Sequence, residues 1–181
     1  MSAIQPPEHR VWWKQPIEPL EITWIVVAFV WCVFMFVMMP YWHVFGKQNL
    51  ANEAYRSTPE RFTAKAQAMV DKYKVREEGG DLKIPVVRPP AGSDVYLIAQ
   101  LWRWYPILEL EAGKSYRIHL MSLDWLHGFS LQPENINIQV HPGYEHVITV
   151  TPTHPGTYSV ICNEYCGINH HTMASRLYVV K

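Results

Sequence analysis

The sequence predicts a mainly β domain, a sandwich or barrel of short strands, carried behind one N-terminal membrane helix. Three observations predict it. Residues 22–42 form an uncharged apolar run that at ~1.5 Å per residue reaches across the ~30 Å core of a bilayer. Beyond residue 92 the hydrophobic period becomes two: Tyr116, Ile118 and Leu120 alternate with Arg117 and His119, and Ile136, Ile138 and Val140 alternate with Asn137 and Gln139. Such alternation marks half-buried strands. Turn pairs at Ala112-Gly113, Pro142-Gly143 and Pro155-Gly156 separate them, and short strands spaced this way close into a sandwich or barrel.

Taken in order, residues 1–21 read as an irregular polar arm broken by Pro6, Pro7, Pro16 and Pro19. Residues 22–45 read as the membrane helix, with Trp24, Tyr41 and Trp42 at the depths where aromatic rings favour the interface and Pro40 near the outer end. A cleaved signal peptide is the competing reading. The run is longer than the ~7–15 residues of a signal core, follows a 21-residue lead and precedes no small-residue cleavage site. Arg10 and Lys14 before the run stand against Glu8, Glu18 and Glu21, with Lys47 on the far side, so these charges do not settle orientation by themselves; the positive-inside rule leans toward a cytoplasmic N-terminus.

Residues 46–92 read as an amphipathic helix and a proline-rich linker. Thr58, Pro59 and Glu60 are a capping hydroxyl, a first-turn proline and an early acid. Phe62, Ala66, Met69, Val70 and Tyr73 follow at helical spacing, and Gly79-Gly80 is the expected stop. Residues 84–92 (IPVVRPPAG) are the expected linker, and residues 93–181 the β domain.

Composition narrows the function. The 181 residues carry 16 Lys+Arg against 16 Asp+Glu, so no basic field recruits nucleic acid. The only three cysteines, Cys32, Cys162 and Cys166, are too few for a disulfide scaffold, and Cys32 reads as a small packing residue of the membrane helix.

The chemistry concentrates in CNEYCGINHHTM at 162–173, with DWLH at 124–127 upstream. Cys162 and Cys166 stand four residues apart, His170 four further on and Met173 three beyond, while His127 comes from another loop. Thiolate, thioether and imidazole together suit copper, and Met with this spacing suits structural zinc poorly. A mononuclear blue-copper set uses one Cys, two His and a weak Met; the second Cys allows two sulfurs to bridge two coppers. A disulfide between the cysteines is the bland alternative.

The pattern C-x-E-x-C-G-x-x-H-x-x-M with D-x-x-H upstream resembles the CuA domain of cytochrome c oxidase subunit II, and the resemblance covers the whole layout from anchor to C-terminal domain. The sequences around His127-Gly128-Phe129, residues 135–138 and residues 161–166 are most similar to the compact subunit II of B-type oxidases. This resemblance implies a Greek-key cupredoxin sandwich on the outer (periplasmic) face of a bacterial or archaeal cell membrane. It implies that Cys162 and Cys166 bridge two coppers, that His127 and His170 are the terminal imidazoles, and that Met173 and the backbone carbonyl of Glu164 are weak ligands. It implies a soluble cytochrome c or small copper protein as donor, and as acceptor a catalytic subunit I that alone holds the hemes.

Two features depart from that pattern. The helix around residues 59–74 is additional. Residues 131–135 are also similar to subunit II of copper-containing nitric oxide reductases, which makes nitric oxide the alternative terminal acceptor to oxygen. Trp102 and Trp104 read either as core or as an electron-uptake patch with one indole at the surface above the copper. Asp124, three residues before His127, is expected to orient that ligand. Glu134 and Glu145 read as solvated acids, His171 as an exposed or supporting neighbour of a ligand, and His119, His141, His146 and His154 as surface residues. Two readings of other classes compete: an anchored copper chaperone holding one labile ion, and a metal-free assembly subunit with a disulfide.

Overall fold

The computed structural model describes residues 16–45 and 53–181, and the chain divides into two compact units, Met1–Gln48 and Asn49–Lys181. The expected irregular arm falls mostly on residues 1–15, outside the described residues.

The described part of the first unit forms α1 (Pro19–Phe45), the one helix among the described residues long and apolar enough to cross a membrane. It starts three residues before the apolar run, and its end is built from polar groups: the Glu18 N–H donates to Glu21 Oε2 at 3.0 Å, and Thr23 Oγ1 donates to Pro19 O at 2.8 Å. A first-turn proline and a back-reaching carboxylate cap a helix without adding hydrophobicity, so apolarity alone places its start too late. It runs through Pro40.

The second unit begins with β1 (Glu53–Arg56) and α2 (Pro59–Tyr73). The Arg61 N–H donates to Thr58 Oγ1 at 3.4 Å, which is the expected cap. The helix ends at Tyr73 rather than at the glycines. Lys74–Glu78 forms β2, which pairs antiparallel with β3 (Ile84–Val87). The segment expected as linker thus contains a buried strand, which pairs parallel with β6 (Ile107–Glu111). Val86 and Val87 are fully buried; the prolines around them read as linker because the partners that fix the strand are remote in sequence.

The remaining strands are β4 (Asp94–Gln100), β5 (Arg103–Tyr105), β7 (Tyr116–Ser122), β8 (His127–Gln132), β9 (Ile136–Val140), β10 (Tyr144–Val150), β11 (Gly156–Cys162) and β12 (Ala174–Val180). They form a five-stranded sheet in the order β1-β10-β7-β4-β5 and a seven-stranded sheet in the order β2-β3-β6-β12-β11-β8-β9. One core cluster draws on both sheets, with Leu97, Ile118, Leu120 and Ile148 from the first and Leu108, Phe129, Val160 and Leu177 from the second. Apolar burial of this kind is the main stabilising term.

A second cluster lies under α2, where Phe62 and Ala66 meet Ile98 and Met121. The helix therefore covers residues of the five-stranded sheet that alternation assigns to water. His119 is among them: it is 4 % exposed, not a surface residue, and Glu145 is 0 % exposed, not a solvated acid. The two meet at 2.6 Å between Nδ1 and Oε1. Lys65 of α2 donates to Glu145 at 3.3 Å, and His119 Nδ1 lies 3.4 Å from the Tyr55 hydroxyl of β1. Burial opposes ionisation of Glu145, but hydrogen bonds to Tyr55 and His119 and the charge of Lys65 outweigh it and hold the carboxyl below its usual range.

Candidate metal centre

Three chain segments meet at one end of the sandwich. His127 opens β8, Cys162 closes β11, and Met173 directly precedes β12. Strand pairing brings these ends together, since β11 pairs with both β8 and β12, and Cys162 stands opposite Phe129. Backbone hydrogen bonds then close the loop on itself: Cys162 N–H to Met173 O at 3.0 Å, His170 N–H to Gly167 O at 3.0 Å, and Met173 N–H to His170 O at 3.1 Å. Gly167 takes φ +116°, a conformation open to glycine and strained for other residues.

Every donor expected from the sequence arrives at this point. Cys162 Sγ lies 3.8 Å from Cys166 Sγ, 3.8 Å from His127 Nδ1 and 3.3 Å from the Glu164 carbonyl oxygen. Cys166 Sγ lies 3.5 Å from His170 Nδ1 and 3.7 Å from Met173 Sδ. Nδ1 of His127 and the two sulfurs all fall within 4.8 Å of one another. Both cysteines are free, so the disulfide alternative does not describe this arrangement. His127, Cys162, Cys166 and Met173 are buried, while His170 is half-buried.

The chemistry of this donor set fits copper. Burial, reinforced by the neighbouring Cys162 sulfur, pushes the Cys166 thiol up to about 12. It therefore carries its proton at neutral pH until a metal displaces it. Two buried thiols facing imidazole and thioether are poor partners for one another and good ones for a soft metal. His127 Nε2 is meanwhile engaged by Asp124 Oδ1 at 2.8 Å, which leaves Nδ1 directed at the sulfurs. Such a partner fixes both ring orientation and tautomer of a ligating histidine.

Asp124 is itself held by the Leu101 N–H at 2.7 Å and the Trp125 N–H at 2.6 Å. Burial works against its charge, but the His127 contact and these two backbone donors prevail and keep its carboxyl below the ordinary range. Ser122 was not singled out from sequence; its hydroxyl caps the turn by donating to Trp125 O and accepting from the Asp124 N–H at 3.3 Å. The Ser-x-Asp spacing is a turn signal that could have found it. Gln139 donates to Glu164 Oε2 at 3.0 Å and ties that side chain to β9.

The two tryptophans part company. Trp104 is 1 % exposed and packs edge-on to Phe129 and His127, with ring centroids 5.5 and 6.5 Å away. It belongs to the core, so a surface role for it is ruled out by burial. Trp102 is half-buried, and its indole lies 3.6 Å from where a Cβ on Gly167 would stand, beside Cys166. Trp125, Tyr165 and Ile168 are 64, 77 and 84 % exposed. Glu134 accepts from the Thr153 N–H at 3.4 Å, away from these residues in sequence. His171 is exposed, and His141 and His146 stack on each other with ring centroids 5.8 Å apart.

Comparison with known proteins agrees with the geometry. Residues 107–180 match the family model described as cytochrome c oxidase subunit II, periplasmic domain. A cytochrome c oxidase subunit 2 of Thermus thermophilus is 35 % identical over 114 residues, covering 61 % of this chain and 84 % of that protein. A chain of a heme–copper terminal oxidase dimer solved by cryo-electron microscopy superposes with a TM-score of 0.59 at 20 % identity, over 89 % of this chain and 99 % of that one. A rusticyanin variant superposes with a TM-score of 0.52 at 18 % identity, over 72 % of this chain and all of that one (100 %). These two likenesses show the fold, a cupredoxin sandwich.

Proposed function

Because this chain belongs to the cytochrome c oxidase subunit II family, a component of an oxidoreductase complex, we propose that it is the electron-accepting, non-catalytic subunit of an oxygen-reducing heme–copper oxidase. In this reading His127, Cys162, Cys166, His170, Met173 and the Glu164 carbonyl hold a dinuclear copper centre. The observation that carries it is the convergence of these donors from three segments, with the two sulfurs 3.8 Å apart and unbonded. A copper pair held there supplies reversible one-electron transfer.

The chain's own residues do the rest. Asp124 orients His127, Trp104 packs against its ring from the core side, and the β11–β12 pairing fixes both ends of the ligand loop. A ligand set held from all sides changes little when an electron arrives, and the burial of both cysteines keeps water from the sulfurs. Trp102 beside Gly167, Tyr165 with its ring 5.8 Å from that of the half-buried His170, and the exposed Trp125 and Ile168 of the two ligand loops provide the apolar surface on which a soluble cytochrome c or small copper protein docks. The acceptor is a heme of the catalytic subunit I, with α1 as the single-pass anchor and the β domain on the outer face of a bacterial or archaeal membrane.

The test is copper content and paramagnetic resonance of the full-length chain. Two coppers per chain sharing one electron are expected; a single ion with single-nucleus hyperfine structure rejects the dinuclear reading in favour of a chaperone. Turnover of the co-purifying complex on oxygen or on nitric oxide decides between the two acceptors. Trp102→Phe is expected to slow reduction by the donor about tenfold, the ~1.4 kcal/mol of one interfacial aromatic, with the absorption spectrum unchanged. Equal donor kinetics in the variant and the wild type would remove Trp102 from the docking surface.

A further inference from the structure

Gly128 follows His127 directly and lies in the interior of β8, where glycine weakens a strand and offers no side chain to pack. Its backbone does not require glycine, because its φ is not among the positive ones. Space requires it. A Cβ on Gly128 would stand 2.1 Å from Asn163 Oδ1, 2.8 Å from the Glu164 backbone nitrogen and 3.1 Å from the Asn163 carbonyl carbon. The Asn163 N–H donates to the Gly128 carbonyl at 3.2 Å. The peptide joining Asn163 to Glu164 is therefore seated on the bare Cα of Gly128. One peptide further along, the Glu164 carbonyl lies 3.3 Å from Cys162 Sγ.

We propose that Gly128 is a positioning residue for the metal centre: its missing side chain sets the depth at which the 162–166 ligand loop rests on β8, and with it the place of the Glu164 carbonyl beside the sulfurs. Asn163 is the movable half of this seat, since its side chain is exposed and can swing away, whereas the Glu164 nitrogen cannot. Adding one methyl group at position 128 must lift the loop backbone from 2.8 Å to at least the 3.4 Å of ordinary contact. No copper ligand is altered by that change. The inference rests on the dinuclear reading of the site.

The experiment compares the full-length wild type with Gly128→Ala, Asn163→Gly and the double variant. Copper per chain, the rate of copper loss to a chelator, the hyperfine pattern and the melting of the metal-free protein are measured for each. Gly128→Ala is expected to lose copper about 10–100-fold faster, the range for residues that support ligands, and to change the hyperfine pattern, and Asn163→Gly is the control for a change in the loop alone. The double variant relieves the side-chain clash and keeps the backbone clash, so it is expected to melt closer to the wild type than Gly128→Ala does when metal-free and still to show the altered pattern. If Gly128→Ala does not fold, the double variant decides. A wild-type pattern in the double variant or in Gly128→Ala overturns the proposal, and so does unfolding of both, which would make Gly128 a requirement of the fold. A wild type that holds fewer than two coppers instead rejects the dinuclear reading, before any variant is compared.

Discussion

A Cys166→Ser chain is expected to hold at most one copper and to lose the shared-electron signal completely. Cys166 Sγ faces three other donors, Cys162 at 3.8 Å, His170 at 3.5 Å and Met173 at 3.7 Å. A serine hydroxyl is a hard, un-ionised oxygen that does not replace a bridging thiolate. Cys166 is itself a buried member of the core cluster, so the melting of the metal-free variant is measured beside its copper content, which separates loss of metal from loss of fold. Donor-driven oxygen consumption by the assembled complex is expected to fall by more than ~100-fold, beyond the upper end of what removing a mere supporting residue does. Retention of a delocalised pair in this variant would exclude Cys166 as a bridge.

The second large effect is on stability and involves no metal. Glu145→Gln keeps the shape of the buried acid and removes its charge, leaving Lys65 and the buried His119 with a weaker acceptor. Hydrogen bonds to a buried charged group contribute about 1.5–3 kcal/mol, or a Tm lower by about 4–12 °C for a unit of this size. The pH dependence has a definite sign. The carboxyl is held below its ordinary 4.5 in the fold, so its contribution is complete above that value and disappears as pH falls through the lower folded one. The gap in Tm between wild type and Glu145→Gln should therefore be widest near neutrality and close on acidification below about 4.5. A gap that stays constant down to strong acid would assign the loss to packing rather than to the charge.

The cluster of candidate ligands is more legible in the sequence than the body that carries it. Cys162, Cys166, His170 and Met173 fall within one loop, so spacing alone exposes the chemistry. The strand alternation also holds around Ile136, with Ile136 and Val140 buried, Ile138 half-buried and Asn137 and Gln139 exposed, and Tyr116, Ile118 and Leu120 are all buried. What failed were inferences about the other face. His119 and Glu145 occupy positions that alternate toward solvent in an open sheet, but α2 covers them. A helix lying on a sheet is a long-range fact that a period of two cannot express. β3 was hidden for a related reason, since Pro85 and the following Pro89 and Pro90 resemble a linker until the parallel partner β6 is known. Trp104 was ambiguous because core and surface indoles look alike in a string of letters, and only burial against Phe129 decides.

β2 has a consequence for the protein's life in a crowded bilayer. Without it the seven-stranded sheet would end on the bare peptide edge of Ile84–Val87, a template for any passing strand. β2 instead closes that margin with Lys74, Arg76, Glu77 and Glu78, and Arg76 is clamped inward onto Glu109, which Arg88 also grips. The rim so formed presents paired ions, Lys74 with Glu77 and Arg76 with Glu78, rather than an adhesive ribbon. Neighbouring copies confined to two dimensions can then collide repeatedly without zipping together.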